Sequence, residues 1–140
     1  MPTKTKRLYV LDACALVAFL YDEDGAEVVQ ELLDHDENRC LIHAINACEV
    51  YYDLLRRGND KDAASLEGVL EDTGVQLNSD LSIELWKAAG KLKAEWRRVS
   101  LADCFALALT IDQQASLVTS DHHELDSIAE AGVCSVRFIR

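Results

Sequence analysis

The sequence predicts an α/β protein, a three-layer α/β/α sandwich built on a parallel, roughly five-stranded sheet. Two observations predict this class. Short apolar runs alternate with longer segments in which apolar residues recur at helical spacing. The first run, residues 8–11, is apolar throughout, which is typical of a strand buried on both faces. Because the single proline and the six scattered glycines leave no flexible linker, residues 1–140 are predicted to form one domain.

The predicted strands are short runs of apolar and β-branched residues that lie between polar residues or glycine. In chain order they cover residues 8–11, 38–43, 75–77, 116–119 and 133–139. Two of these strands follow Gly74 and Gly132, which we expect to end the preceding helices.

The predicted helices carry apolar residues three or four positions apart. They cover residues 13–20, 26–33, 46–57, 60 or 61 to 70, 79 or 80 to 97, and 100 to 111 or 112, with a short helix or turn from 121 to about 132. Asp24 is predicted to cap the second helix, and Gly58 to end the third. The apolar stripe of the third helix includes Tyr51 and Leu55, and that of the longest helix starts at Leu81.

The charge of the chain is strongly acidic, with a formal net charge of −11. Taken alone, this argues against a nucleic-acid-binding protein, because phosphate contacts require a basic surface. Two considerations weaken the objection. Cations bound at an acidic site reverse its local charge, and some basic residues are clustered along the chain, although most such clusters are only solvated helix faces.

Cysteine usage and hydropathy predict a cytoplasmic protein. The five cysteines are odd in number and form no CxxC pair, so we expect reduced and mostly buried thiols. No apolar run is long enough to span a bilayer, and Asp12 soon interrupts the run that follows the basic N-terminus. We therefore expect neither a membrane segment nor a signal peptide.

Four carboxylates stand where strands end or helices begin. Asp12 and Asp121 follow the first and fourth predicted strands, and Glu49 and Asp103 lie near the starts of two helices. In an α/β fold these positions meet at one edge of the sheet, where ligands bind. Carboxylates crowded there would repel one another unless a cation held them, so the sequence predicts a divalent-metal site.

Each carboxylate also has an ordinary structural explanation. Asp12 and Asp121 are suited to capping the helices that follow them, and Asp103 occupies the third position of a capping-box pattern. Glu49 would be unremarkable on an exposed helix face. Considered singly, none of the four identifies a metal site.

Three neighbouring polar residues need an interpretation. Glu124 lies one helical turn after Asp121 and offers a further oxygen ligand. Asp53 shares a helix face with Glu49, and we expect it to be solvated. His43 ends the second predicted strand and is expected to be structural.

Four segments resemble the motifs of the PIN-domain nucleases. They contain Asp12, Glu49, Asp103 and Asp121 in turn and read LYVLDACAL (residues 8–16), INACEV (45–50), SLADCFALA (100–108) and VTSDHHEL (118–125). The fourth has the form common among VapC-type toxins of bacterial toxin–antitoxin pairs. The resemblance covers essentially the whole chain. It departs from the family at Cys14, where Ser or Thr is usual, and at Leu125, where an aromatic residue is frequent.

The resemblance implies metal-dependent hydrolysis of RNA by these four carboxylates. Asp12, Asp103 and Asp121 are expected to bind the metal, and Glu49 either binds it directly or orients a water molecule. Hard oxygen ligands of this kind suit Mg²⁺ or Mn²⁺ better than zinc.

The resemblance also implies partners for the chain. A homodimer and a cognate antitoxin that blocks the site are expected, and the acidic surface would suit an antitoxin with a basic inserted segment. The arginines nearest the carboxylates in sequence are the candidate contacts to the RNA backbone. They are Arg56, Arg57, Arg97 and Arg98.

Other classes fit the motifs less well. A phosphatase that uses an aspartate after its first strand needs a second aspartate two residues later, where Cys14 stands. A phosphoacceptor domain would need an acidic pair at the first strand end and a late lysine, and neither is evident. A non-catalytic PIN-like domain that binds RNA or protein remains the alternative.

Overall fold

The computed structural model describes residues 6–140 and contains a five-stranded parallel sheet in the order β3-β2-β1-β4-β5. The strands are β1 Arg7–Leu11, β2 Asn38–His43, β3 Val75–Asn78, β4 Ser116–Thr119 and β5 Ser135–Phe138. The predicted strand number and parallel pairing are therefore confirmed. The N-terminal residues 1–5 lie outside the described part of the chain, so the expectation that they do not belong to a signal peptide stays a prediction. The single domain also stays a prediction.

Eight helices connect the strands across the described residues. They are α1 Ala13–Leu20, α2 Ala26–Asp34, α3 Ala44–Arg56, α4 Asp60–Ala64, α5 Leu66–Thr73, α6 Ile83–Glu95, α7 Leu101–Asp112 and α8 His122–Glu130. Within residues 6–140, no helix is both long enough and apolar enough to cross a membrane.

The helices form a layer on each face of the sheet, as the α/β/α prediction requires. Apolar side chains of α1 to α5 form one core with the sheet, and those of α6 to α8 form a second. Successive residues of β1 contribute to opposite cores, because Leu11 packs in the first and Val10 in the second. Both residues are fully buried, which explains why this strand is apolar throughout.

Two predicted helices begin or end elsewhere. The helix predicted up to residue 70 is divided at Ser65 into α4 and α5. The helix predicted to be the longest begins at Ile83, because Asn78, Asp80 and Ser82 form a hydrogen-bonded turn ahead of it. Ser82 caps this helix through the Leu85 N–H, at 3.2 Å.

Several side chains predicted to lie in apolar stripes are exposed instead. Leu81 precedes α6 and is exposed, and Tyr51 and Leu55 lie on the outer surface of α3. The predicted cap of α2 was also wrong. Gly25 occupies the cap position with a φ of +96°, and a Cβ there would lie 2.7 Å from the Ile139 carbonyl oxygen.

Candidate metal centre

The carboxyl ends of β1 and β4 lie side by side in the middle of the sheet. Strand β1 pairs with β2 on one side and with β4 on the other. The order of the strands therefore reverses between β1 and β4. Such a switch point creates a crevice in which α/β proteins bind ligands. Asp12 follows β1 and donates its backbone N–H to the Val118 carbonyl of β4, at 3.1 Å. Asp121 follows β4 on the same edge.

Asp12 caps α1 with one carboxylate oxygen and leaves the other without a partner. Its Oδ1 accepts hydrogen bonds from the Ala15 N–H at 2.9 Å and from the Cys14 thiol at 3.1 Å. Its Oδ2 is buried, since the residue is only 1% exposed, and no donor among the described residues makes a hydrogen bond of good geometry with it, although the Thr119 hydroxyl is near enough to lower the Asp12 pKa. Burial raises the pKa of Asp12 to about 6 despite its hydrogen bonds. A buried carboxylate oxygen without a donor is a position that a cation can occupy.

Three carboxylates other than Asp12 converge beyond the end of β4, and the charge of Asp12, which lies outside this group, acts on Asp103. One oxygen each from Asp103, Asp121 and Glu124 lie within 4.8 Å of one another. The cap of α8 explains this arrangement on one side, because Asp121 Oδ1 accepts the Glu124 N–H at 3.0 Å and so holds Glu124 in the first helical turn. On the other side, the Ser100 hydroxyl accepts the Asp103 N–H at 3.2 Å and fixes the start of α7.

Of the carboxylates around this site, Asp103 has the pKa that is raised most. Burial, a hydrogen bond with the Glu124 carboxyl group and the charge of Asp12 all raise the pKa of Asp103 well above its usual range. Without a cation, these interactions favour the protonated form of Asp103. A divalent cation would remove the repulsion, so the residues present fit such an ion.

Glu49 approaches the cluster from α3. Partial burial and the charge of Glu124 raise the pKa of Glu49, and its charge in turn acts on Asp103. Its Oε2 accepts a hydrogen bond from the Tyr52 hydroxyl at 3.3 Å. Glu49 is thus close enough to act electrostatically on the cluster, although it lies outside the set of oxygens within 4.8 Å.

The thiol of Cys14 retains a polar contact with this site. Besides its hydrogen bond to Asp12, it lies 3.5 Å from the Thr119 hydroxyl. Thr119 is fully buried, and its hydroxyl accepts the Asp121 N–H at 3.0 Å. Thr119 therefore connects the two cap aspartates, a role that the sequence did not predict because its hydroxyl serves two segments distant in sequence.

The four candidate RNA-binding arginines differ in their surroundings. Arg57 contacts the Asp53 carboxylate at 2.9 Å and the Glu23 carboxylate at 3.7 Å, with its guanidinium 4.1 Å from the centre of the Tyr21 ring. Arg57 is therefore engaged within the protein. The expectation that Asp53 is solvated holds only in part, because its side chain is 33% exposed but ion-paired with Arg57.

The other three arginines are exposed and form no ion pair within residues 6–140. Arg56 lies over the Tyr52 ring, 5.3 Å from its centre. Arg97 and Arg98 are exposed in the segment between α6 and α7, a few residues before Asp103.

His43 has the structural role expected of it. Its ring is fully buried, its Nδ1 accepts the Ile45 N–H at 3.1 Å to cap α3, and it stacks against Phe105.

The position of Glu124 was only partly predicted from the sequence. Its spacing from Asp121 indicated a possible ligand, but the approach of Asp103 depends on the packing of α7 beside β4.

Solved structures of similar fold include several toxins and their complexes. VapBC2 from Rickettsia felis, bound to a DNA fragment from its promoter, has a TM-score of 0.71 and 20% identity, over 94% of this chain and 98% of that one. A toxin–antitoxin complex from Klebsiella pneumoniae has a TM-score of 0.70 and 15% identity, over 94% and 98%. The sarcin-ricin loop cleaving toxin VapC20 from Mycobacterium tuberculosis has a TM-score of 0.68 and 14% identity, over 85% and 94%. At these identities the likeness establishes the fold.

Sequence comparison gives the family. No curated protein matches the chain. The PIN domain family, however, matches residues 9–131, a range that contains all five carboxylates of the candidate site. The chain therefore belongs to the PIN domain family.

Proposed function

We propose that this protein is a Mg²⁺- or Mn²⁺-dependent endoribonuclease that hydrolyses RNA phosphodiester bonds. The observation that carries the proposal is the Asp12 Oδ2 atom, which is buried without a donor beside other carboxylates. An oxygen in this position costs free energy unless a cation is bound. Membership of the PIN domain family supports nuclease chemistry at the same site.

We assign the cation to Asp12, Asp103, Asp121 and Glu124. Their carboxylate oxygens form the hard donor set that Mg²⁺ and Mn²⁺ prefer. A divalent cation held there supplies positive charge to the scissile phosphate and acidity to a water molecule. Glu49 either binds the cation directly or orients the attacking water, and its raised pKa suits it to accept a proton.

Besides the cation, the hydrolysis needs only a carboxylate that accepts a proton from the attacking water. Oxygen from water forms a bond to phosphorus, and the bond from phosphorus to the leaving nucleotide oxygen breaks. The proton released from the water passes to a carboxylate of the site and then to the leaving oxygen or to solvent. Cys14 is unsuited as a nucleophile, because burial raises the pKa of its thiol to about 12.

Arg56, Arg97 and Arg98 are the proposed contacts to the RNA backbone. They are exposed, Arg56 on α3, the helix that carries Glu49, and Arg97 and Arg98 in the segment before α7, the helix that carries Asp103. Arg57 is a weaker candidate, because its guanidinium is engaged by Asp53 and Glu23.

We further propose that the protein is the toxin of a toxin–antitoxin pair. The fold is shared with a Klebsiella pneumoniae toxin–antitoxin complex and with a toxin that cleaves the sarcin-ricin loop. The net charge of −11 suits an antitoxin that places a basic segment over the acidic site. A homodimer and a cytoplasmic location, where the five cysteines remain reduced, complete this proposal.

The test is cleavage by the purified protein freed of any antitoxin. We expect it to cut a total RNA pool with Mg²⁺ or Mn²⁺ and to lose this activity in EDTA. Asp103→Asn should abolish cleavage with an unchanged circular dichroism spectrum. Asp112→Asn is the matched control, because Asp112 is an exposed aspartate at the other end of the same helix.

A negative result would be equally decisive. If neither ion supports cleavage and calorimetry detects no metal binding, the nuclease proposal is wrong. Binding of RNA or of a protein partner without cleavage would then favour a non-catalytic PIN-like domain. Sedimentation of the protein alone and mixed with a partner encoded beside it tests the homodimer and the antitoxin.

A further inference from the structure

The outer face of α3 presents a tyrosine directly beside the candidate metal centre. Tyr52 is 43% exposed, and its hydroxyl donates a hydrogen bond to Glu49 Oε2 at 3.3 Å. The guanidinium of Arg56 lies 5.3 Å from the centre of the Tyr52 ring, within the range of a cation–π contact. The ring is therefore held at both its hydroxyl and its π-system while a large part of its surface remains accessible.

This arrangement is suited to binding an uncharged aromatic group. A nucleobase presents a neutral π-face, so it can pack against the Tyr52 ring without adding negative charge beside Glu49. Aromatic side chains assisted by arginine bind single-stranded nucleic acid through such stacking, with little dependence on base identity. Because the Tyr52 ring is already oriented by its contacts, less conformational entropy is lost when a base stacks on it.

The neighbouring tyrosine provides an internal comparison. Tyr51 is 44% exposed, almost the same as Tyr52. It lies on a different side of α3, in a shallow depression lined by Leu66 and Leu77. Exposure alone therefore does not distinguish the two tyrosines, whereas the contact of Tyr52 with Glu49 does.

We propose that Tyr52, together with Arg56, forms a stacking subsite for the base next to the scissile phosphate of a single-stranded RNA. This inference rests on the proposed ribonuclease function and specifies how the substrate is held. Tyr52 binds the base and Arg56 binds the adjoining phosphate, so neither takes part in the transfer of protons.

The experiment compares binding of two probes, a mixed-sequence single-stranded 12-nucleotide RNA and the same backbone with abasic positions. Fluorescence anisotropy with Ca²⁺ in place of Mg²⁺ gives the Kd of each. We expect the wild-type protein to prefer the base-containing probe about tenfold, the effect of one stacked base. Tyr52→Ala should remove this preference, whereas Tyr52→Phe should keep it, since the ring remains.

Tyr51→Ala is the matched control and should retain the wild-type preference. Equal effects of Tyr51→Ala and Tyr52→Ala, or no preference in the wild type, would overturn the subsite. An unchanged Kd of Tyr52→Ala for the base-containing probe would also overturn it. A protein partner would then be the favoured occupant of the exposed surface around Tyr52. The assay does not require cleavage, so a protein that binds by stacking but cuts no RNA would refute the ribonuclease proposal and not the subsite.

Discussion

Replacing Asp12 by Asn should stabilise the cation-free protein at neutral pH and remove part of the pH dependence of its stability. Burial raises the Asp12 pKa from 3.8 to about 6, a difference of roughly two units. Each unit corresponds to about 1.4 kcal/mol, so ionisation of Asp12 costs the folded state up to about 3 kcal/mol. Asn keeps an oxygen that can accept the Ala15 N–H, so the cap of α1 is retained.

The folded state binds the proton of the Asp12 carboxyl group more tightly than the unfolded state does, and this sets the direction in which the free energy of unfolding changes with pH. A folded-state pKa above the unfolded value adds stability that is fully present below pH 3.8 and is lost as pH rises through about 6. Between pH 4 and pH 7 this group alone should remove about 2 kcal/mol from the free energy of unfolding. The raised pKa of Asp103 acts in the same direction.

Urea unfolding in EDTA at several pH values between 4 and 7 measures the effect. The wild-type protein should lose stability relative to Asp12→Asn as pH rises, and Mg²⁺ should restore it only in the wild type. Glu31→Gln, at an exposed position of α2, controls for the loss of one surface charge. If the free energy of unfolding changes with pH in the same way in the wild type and in Asp12→Asn, the reasoning is refuted, because burial would then not raise the pKa of Asp12.

Three further predictions concern metal binding, packing and RNA contacts. Mg²⁺ affinity measured by calorimetry should fall at least about tenfold from pH 7 to pH 5, because Asp12, with a pKa of about 6, must release its proton and the raised pKa of Asp103 adds to the fall; a constant affinity would contradict this. Gly25→Ala should lower the free energy of unfolding by roughly 1–3 kcal/mol, since its Cβ would meet Ile139, whereas Gly58→Ala, with nothing within 4 Å, should cost less in the same urea titration. Joint replacement of Arg97 and Arg98 by Gln should reduce the slope of log binding constant against log salt for single-stranded RNA by about 1.4, and an unchanged slope would exclude both as phosphate contacts.

Local signals in the sequence account for most of the fold. The β1 run followed by Asp12 was sufficient to place a strand and a helix cap, because both depend on adjacent residues. The division between α4 and α5 was missed since apolar positions continue at helical spacing through Ser65, from Ala63 to Leu66. Periodicity describes which face is buried and does not reveal a break in the backbone.

The candidate site was less predictable where it depends on tertiary packing. Placing Glu124 near Asp103 requires the relative positions of α7 and α8, which no local pattern contains. The same limit explains Arg57 only in part, because its ion pair with Asp53, four residues earlier on the same helix, is a local contact. Its other partner, Glu23, lies in the segment between α1 and α2, far away in sequence.

The structural and functional explanations of the aspartates turn out to be compatible. Asp12 and Asp121 each cap a helix, as the ordinary explanation required, and each uses Oδ1 to do so. A cap fixes the carboxylate at a strand end and holds its orientation, while the second oxygen remains free to bind a ligand. Capping therefore does not compete with the proposed metal binding, because it fixes the orientation of the carboxylate without a metal. For this reason Asp→Asn substitutions separate the two roles: the cap oxygen remains, and the charge that would hold a cation is lost.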